Sequence, residues 1–153
     1  MITLKRILLA EDSARDIELT LAALEENHLA NAVDVARDGV EVLDYLYGRG
    51  KFAARPPGLP VIVLLDIKMP RLDGLETLRQ IRADPRFNRL PVVMFTSSRE
   101  EPDLAECYAL GANAYVVKPV SFPEFAVAVK RLGAFWALLN ELPPDDFPNP
   151  GTP

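Results

Sequence analysis

Val61-Ile62-Val63-Leu64-Leu65 is apolar at every position and stops at a carboxylate, Asp66. A strand with one wet face alternates apolar and polar residues. A strand with no such alternation is covered on both faces, the mark of a central strand in a parallel sheet. Parallel neighbours cannot be joined by a tight turn; each pair needs a crossover, normally a helix. The rest of the chain must therefore supply helices between strands.

It does so in order. Ile7-Leu8-Leu9-Ala10 is a short apolar run that stops at Glu11-Asp12. Ser13 opens a helical pattern with Ile17, Leu21 and Leu24 on one face, and Ser13 with Asp16 resembles a capping box with Asp in the place of Glu. Residues 32–36 read as a second strand and 40–46 as a second helix. The Gly-, Pro- and charge-rich stretch 48–60 reads as a surface loop. Residues 73–83 form a helix with Leu75, Leu78 and Ile81 inward. Residues 91–95 form the fourth strand, 102–110 a helix ended by Gly111, and Ala114–Val117 the fifth strand. The last helix runs from 121 to about 141, opened by the capping box Ser121-Phe122-Pro123-Glu124. Five strand-helix units predict an α/β fold: a flavodoxin-like, doubly wound, five-stranded parallel sheet of order 2-1-3-4-5, with five helices. Residues 1–142 form its one domain. Residues 143–153 carry five prolines and read as an extended or disordered tail.

Composition narrows the function. The chain has 153 residues, 49% of them hydrophobic, which suits one globular domain. Its formal net charge is -5 with no long basic run, which argues against a nucleic-acid partner. A single cysteine, Cys107, excludes an intrachain disulfide and a Cys-based zinc cage; it reads as packing against the fourth strand. No apolar run approaches the roughly 18 residues of a membrane span and no signal peptide is visible, so no membrane association and a cytoplasmic address are expected. His28, the one histidine, sits near a helix end and reads as solvated.

In the order 2-1-3-4-5 the switch point lies between strands one and three, and ligands bind there, outside the carboxyl ends of the strands. Those strands end in Glu11-Asp12 and Asp66. Three carboxylates in one place repel and raise one another's pKa unless a cation joins them. Oxygen-only ligands select a hard ion, and Mg²⁺ is the usual one beside a phosphate. A carboxylate can attack phosphorus to form an acyl phosphate. Thr96 and Lys118, at the ends of strands four and five, can serve the phosphoryl oxygens.

Glu11-Asp12, Leu65-Asp66-Ile67-Lys68-Met69-Pro70 with Asp73-Gly74, Thr96-Ser97-Ser98 and Lys118-Pro119 together resemble the receiver domain of two-component response regulators, of the CheY-like type. The resemblance covers about residues 5–140. It implies that Asp66 is the phosphoacceptor, that Asp12 binds Mg²⁺, that Glu11 acts beside it through a water, and that the Lys68 backbone carbonyl is a further ligand. Most members show two aspartates, so the longer Glu11 leaves the water coordination open. The resemblance also makes Thr96 the signalling hydroxyl, Lys118 the phosphate-pairing lysine and Tyr115 the switch aromatic. Pro119 matches a cis proline that turns the lysine inward. The partner implied is a sensor histidine kinase, expected to dock on the first helix and the loop after Lys118, at Ala14, Ile17, Leu21 and Pro119, with core packing the alternative for some of the helix residues, Leu21 above all. No enzyme activity beyond the chain's own phosphorylation and dephosphorylation is implied. A finer similarity, in Tyr45-Leu46-Tyr47-Gly48 and its long loop, in Asp84-Pro85 before Leu90-Pro91-Val92-Val93, and in Phe135-Trp136 with Glu141-Leu142-Pro143, is to stand-alone receivers of bacterial phytochrome kinases.

Other functions weigh less. An aspartyl-phosphate phosphatase needs an acid two residues after its nucleophile, where this chain has Lys68. A pseudo-receiver that only binds would lack the acids, the acceptor or the lysine. A phosphate sink or relay intermediate remains an alternative use of the same chemistry. With no output domain after residue 140, the signal is expected to leave by protein contact. At roughly 100° per residue, Phe125, Val129, Leu132, Trp136 and Leu139 form an inner stripe on the last helix. Val127, Ala134, Phe135, Leu138 and Leu142 form a second stripe, interrupted by Arg131. The second stripe predicts a homodimer; the competing expectation is that the tail, with Leu142 and Phe147, folds back over it.

Overall fold

The computed structural model describes residues 5–144. Strands β1 (Ile7–Ala10), β2 (Val33–Ala36), β3 (Ile62–Leu65), β4 (Val92–Thr96) and β5 (Ala114–Val117) alternate with helices α1 (Ala14–Glu25), α2 (Gly39–Tyr47), α3 (Gly74–Ala83), α4 (Glu101–Ala109) and α5 (Phe122–Gly133). The sheet order is β2-β1-β3-β4-β5 with every pairing parallel, as the sequence predicts. The expected surface loop 48–60 also contains a short 3-10 turn, Gly50–Phe52.

Successive side chains of a strand leave by opposite faces, and two cores follow from that. Leu8, Ala10, Val63, Leu65, Val92 and Met94 point to one side, where Val42, Leu46, Leu78, Ile81 and Cys107 of α2, α3 and α4 cover them. Ile7, Leu9, Ile62, Leu64, Val93 and Phe95 point to the other, where Ile17 and Leu24 of α1 and Phe125 and Val129 of α5 close the layer. Cys107 is fully buried in the first core. Truncating a side chain such as the fully buried Leu24 to alanine is worth about 2–5 kcal/mol of stability.

The helix ends are set locally. Ser13, Asp38, Asp73 and Ser121 each accept a backbone N–H of the first turn they precede, so four of the five helices are side-chain capped. At the end of α1 the Leu29 N–H reaches the Leu24 carbonyl at 3.0 Å, with His28 left-handed at φ 58° and exposed. Gly133 permits α5 to lie against α1, because a Cβ there would overlap Leu24.

The last helix departs from expectation. After Gly133 the segment Ala134–Leu139 forms wider turns, with the Asn140 N–H bonded to the Phe135 carbonyl at 2.6 Å, five residues back. Such a turn advances less per residue than an α turn. Each side chain after Gly133 therefore lags the α-helical register. Ala137 rotates inward and is buried, while Leu139, expected in the inner stripe, is 71% exposed. Phe125 and Val129 keep their places in the core, and Leu132 and Trp136 pack only partly against it. Val127, Phe135, Leu138 and Leu142 are all exposed. Phe147, the other half of the expected tail cover, lies outside the described residues.

Candidate functional site

The parallel register brings four strand ends to one edge. The Asp66 N–H donates to the Ala10 carbonyl at 3.2 Å and the Glu11 N–H to the Ala36 carbonyl at 2.9 Å, so both acids stay in the ladder just past β3 and β1. The Lys118 N–H donates to the Thr96 carbonyl at 2.7 Å and keeps the lysine in register beyond β5. Glu11, Asp66 and Lys118 continue the strand positions that face α1 and α5, whereas Thr96 and Tyr115 continue those that face α4. The period of two thus divides the crevice into a charged side and a hydroxyl side.

On the charged side, Glu11, Asp12 and Asp66 each present an oxygen within 4.8 Å of the others. Glu11 and Asp66 are buried and Asp12 is exposed, so the trio is open to solvent at one corner. The Lys118 ammonium, itself buried, donates to Asp16 Oδ2 at 2.8 Å, to Asp66 Oδ2 at 2.9 Å, and to Glu11 Oε2. Burial pushes the Glu11 carboxyl up to about 7, against the pull of Lys118 and with the help of the Asp66 charge. Burial alone would lower the Lys118 pKa; the carboxylates of Asp16, Glu11 and Asp66 outweigh it and hold the ammonium above its ordinary value. One lysine thus faces four acids, counting Asp12. That imbalance and the all-oxygen donor set fit a divalent cation held by Glu11, Asp12 and Asp66.

On the hydroxyl side, Thr96 is buried and its Oγ1 accepts the Ser98 N–H at 3.3 Å. The Tyr115 hydroxyl donates to the Ser98 carbonyl at 3.0 Å. Thr96, Ser98 and Tyr115 therefore form one hydrogen-bonded chain from the crevice to the half-buried ring of Tyr115. Gly74 lets the first turn of α3 press against the crevice floor: its N–H donates to the Ile67 carbonyl at 2.7 Å, and a Cβ there would overlap the Asp66 carbonyl. Lys68 is exposed two residues past Asp66.

Three expectations change. No cis peptide bond occurs among the described residues, so Pro119 does not turn Lys118 inward through one; the lysine points inward because it continues the side of β5 occupied by Ala114 and Val116. Ile17, expected at a docking surface, is buried in the α1–α5 core, leaving Ala14 exposed and Leu21 and Pro119 partly so. The Ser13–Asp16 box is only half made. The Asp16 N–H donates to Ser13 Oγ at 3.2 Å, but the Ser13 N–H turns to Glu11 Oε1 at 3.1 Å and the Asp16 carboxylate goes to Lys118. Asp16 is the site residue that sequence reasoning missed. The one signal available was its place in the first turn of α1, directly after the strand end that carries Glu11 and Asp12.

This fold, with an acidic trio and a buried lysine at its switch point, defines a class. The chain belongs to the response regulator receiver domain family, whose model matches residues 7–130. Particular relatives are similar along nearly their whole length. The bacteriophytochrome response regulator AtBRR is 56% identical, with a TM-score of 0.72 over 92% of this chain and 100% of that one. The phosphorylated cyanobacterial phytochrome response regulator RcpA is 34% identical, with a TM-score of 0.85 over 93% of this chain and 100% of that one. Response regulator Rcp1 of Synechocystis sp. is 32% identical over 139 residues, 91% of this chain and 93% of the relative. A structure of Rcp1 in its Mn²⁺-bound form has a TM-score of 0.83 over 92% of this chain and 99% of that one.

Proposed function

We propose that Asp66 accepts a phosphoryl group from the phosphohistidine of a sensor histidine kinase, and that the resulting change is read by protein contact. The observation that carries this reading is the placing of Asp66: it lies at the end of the central strand, hydrogen-bonded to Lys118 and within 4.8 Å of oxygens of Glu11 and Asp12. An Asp66 carboxylate oxygen attacks phosphorus, the phosphorus–nitrogen bond of the donor breaks, and the imidazole leaves with the electron pair. Glu11, Asp12, Asp66 and the Lys68 carbonyl would hold Mg²⁺, which supplies charge neutralisation for the phosphoryl oxygens. Lys118 pairs with one of those oxygens and the Thr96 hydroxyl donates to another. Drawing Thr96 inward breaks its bond from Ser98, and Tyr115, tied to the same residue, turns into the space released. The chain is thus a signalling switch acting in the cytoplasm, with no turnover beyond its own phosphorylation and dephosphorylation.

The kinase is read as one of the bacterial phytochrome class. AtBRR and RtBRR, bacteriophytochrome response regulators 56% and 55% identical to this chain, support that reading. Docking would use the exposed part of α1, with Ala14 and the edge of Leu21, and the loop at Pro119 and Val120, which flank Asp66. Residues 1–142 form the receiver and residues 143–153 its tail. Val127, Phe135, Leu138 and Leu142 form the contact of a homodimer about a twofold axis, joined by the newly exposed Leu139.

The test is incubation with acetyl phosphate, with and without Mg²⁺. The expected product is an acyl phosphate that forms only with the ion and is absent from Asp66→Asn. Equal labelling in a chelator would count against the reading.

A further inference from the structure

One carboxylate in the crevice has no part in the phosphoryl chemistry proposed above. Asp16 Oδ2 accepts from Lys118 Nζ at 2.8 Å, yet Asp16 lies outside the trio whose oxygens converge within 4.8 Å. An ammonium has three donors. Lys118 spends them on Glu11, Asp16 and Asp66, one on each.

We infer that Asp16 is a positioning residue that keeps Lys118 in the crevice when a divalent ion draws Glu11 and Asp66 away, so that ion and ammonium occupy the site together. The inference rests on the phosphoryl-acceptor reading. Two of the three acceptors of Lys118 are also candidate ion ligands. As they turn to a dication, their hold on the ammonium weakens and the two cations repel. An ammonium that is only 7% exposed cannot lose its partners cheaply. Without a third partner it would either compete with the ion for Glu11 and Asp66 or leave the crevice, and in both cases one of the two charges needed by a phosphoryl group would be missing.

Asp16 meets the requirements of such a partner. It belongs to α1, not to the strand ends that carry the trio. Its backbone is pinned by the cap, through its N–H to Ser13 Oγ at 3.2 Å. Its side chain is only 24% exposed, so the bond to Lys118 is partly shielded from water. The blander role, closing a capping box on Ser13, is not what the carboxylate does, because the Ser13 N–H is taken by Glu11.

The test is Mg²⁺ binding to the full chain by calorimetry, in the parent, D16N, D16E, K118M and the D16N/K118M pair. D16N should weaken Mg²⁺ by about five- to tenfold, the size of one charge-assisted hydrogen bond near the surface, and D16E should restore most of it. In the K118M background the same D16N change should matter less than about twofold, since the two residues act as one unit. An equal loss in both backgrounds would mean that only the general field of the charge is felt, and would overturn the inference. The nitrogen NMR signal of the Lys118 ammonium gives a second measure should K118M fail to fold. With Mg²⁺ saturating, it should stay protected from water exchange in the parent and lose protection in D16N; equal protection in both overturns the inference. A parent that binds no Mg²⁺ and takes no phosphoryl group removes the underlying reading and the inference with it. A parent that does both, with D16N indistinguishable from it, removes the inference alone.

Discussion

Asp34 and Asp12 illustrate two opposite fates of a carboxylate in one small domain. Asp34 accepts Arg6 Nε at 2.7 Å, Arg6 Nη2 at 2.9 Å and the Tyr45 hydroxyl at 2.5 Å. Burial would raise its pKa; the guanidinium and phenol outweigh burial and hold it below the usual carboxylate range. A depressed native pKa stabilises the fold above the unfolded value of about 4, and that contribution fades as pH falls through the native value. Asp34→Asn should therefore lower the urea midpoint at pH 7 and lower it less at pH 3; a difference that does not change with pH would contradict this assignment. Asp12 makes no such pair among the described residues and sits at the open corner of the trio. Asp12→Ala should weaken Mg²⁺, followed by calorimetry, by at least about tenfold, since even a residue that only supports a ligand is worth that much. Unchanged binding would place the ion elsewhere.

At the scale of elements, the crevice depends on how closely α3 approaches β3. Gly74→Ala forces the first turn of α3 off the Asp66 carbonyl and should cost about 1–3 kcal/mol in denaturant unfolding; a variant as stable as the parent would show that the approach is not a constraint. The switch belongs to the same scale. Beryllofluoride stands in for the phosphoryl group, and a crystal of that complex should show Thr96 drawn toward Asp66 and the Tyr115 hydroxyl detached from Ser98. An unmoved Thr96 would refute the mechanism. Most elements were legible beforehand because strong local signals agreed. Val61 to Leu65 is apolar on both faces, and Ser121, with Glu124, announces the helix it caps. The conformation after Gly133 was not legible: apolar stripes assume a constant angle per residue, and the wider turns at Ala134–Leu139 break that assumption without a proline or glycine inside them. The second role of Asp16 was hidden for a different reason. A cap signal fixes its backbone but leaves its carboxylate free, and the partner, Lys118, is 102 residues away.

At the scale of the whole molecule, the acids, lysine and hydroxyl were legible because each sits at the end of a strand and the strand order brings those ends together. What the chain does with its outer surface was legible only as a pattern. The exposed Phe135, Leu138, Leu139 and Leu142 lie on the segment after α5, far in sequence from Asp66. Sedimentation should show a dimer in the parent and a monomer in Phe135→Asp with Leu138→Asp; a parent that stays monomeric at high concentration, phosphorylated or not, would contradict the proposed contact. The proposed switch and its signalling depend on one bond, the proposed acyl phosphate on Asp66. Borohydride reduces an acyl phosphate to an alcohol and turns the labelled aspartate into homoserine. Peptide mapping after acetyl phosphate, Mg²⁺ and borohydride should find homoserine at position 66 and at no other aspartate. Homoserine at another position, or none in a chain that has taken up phosphate, would contradict the account.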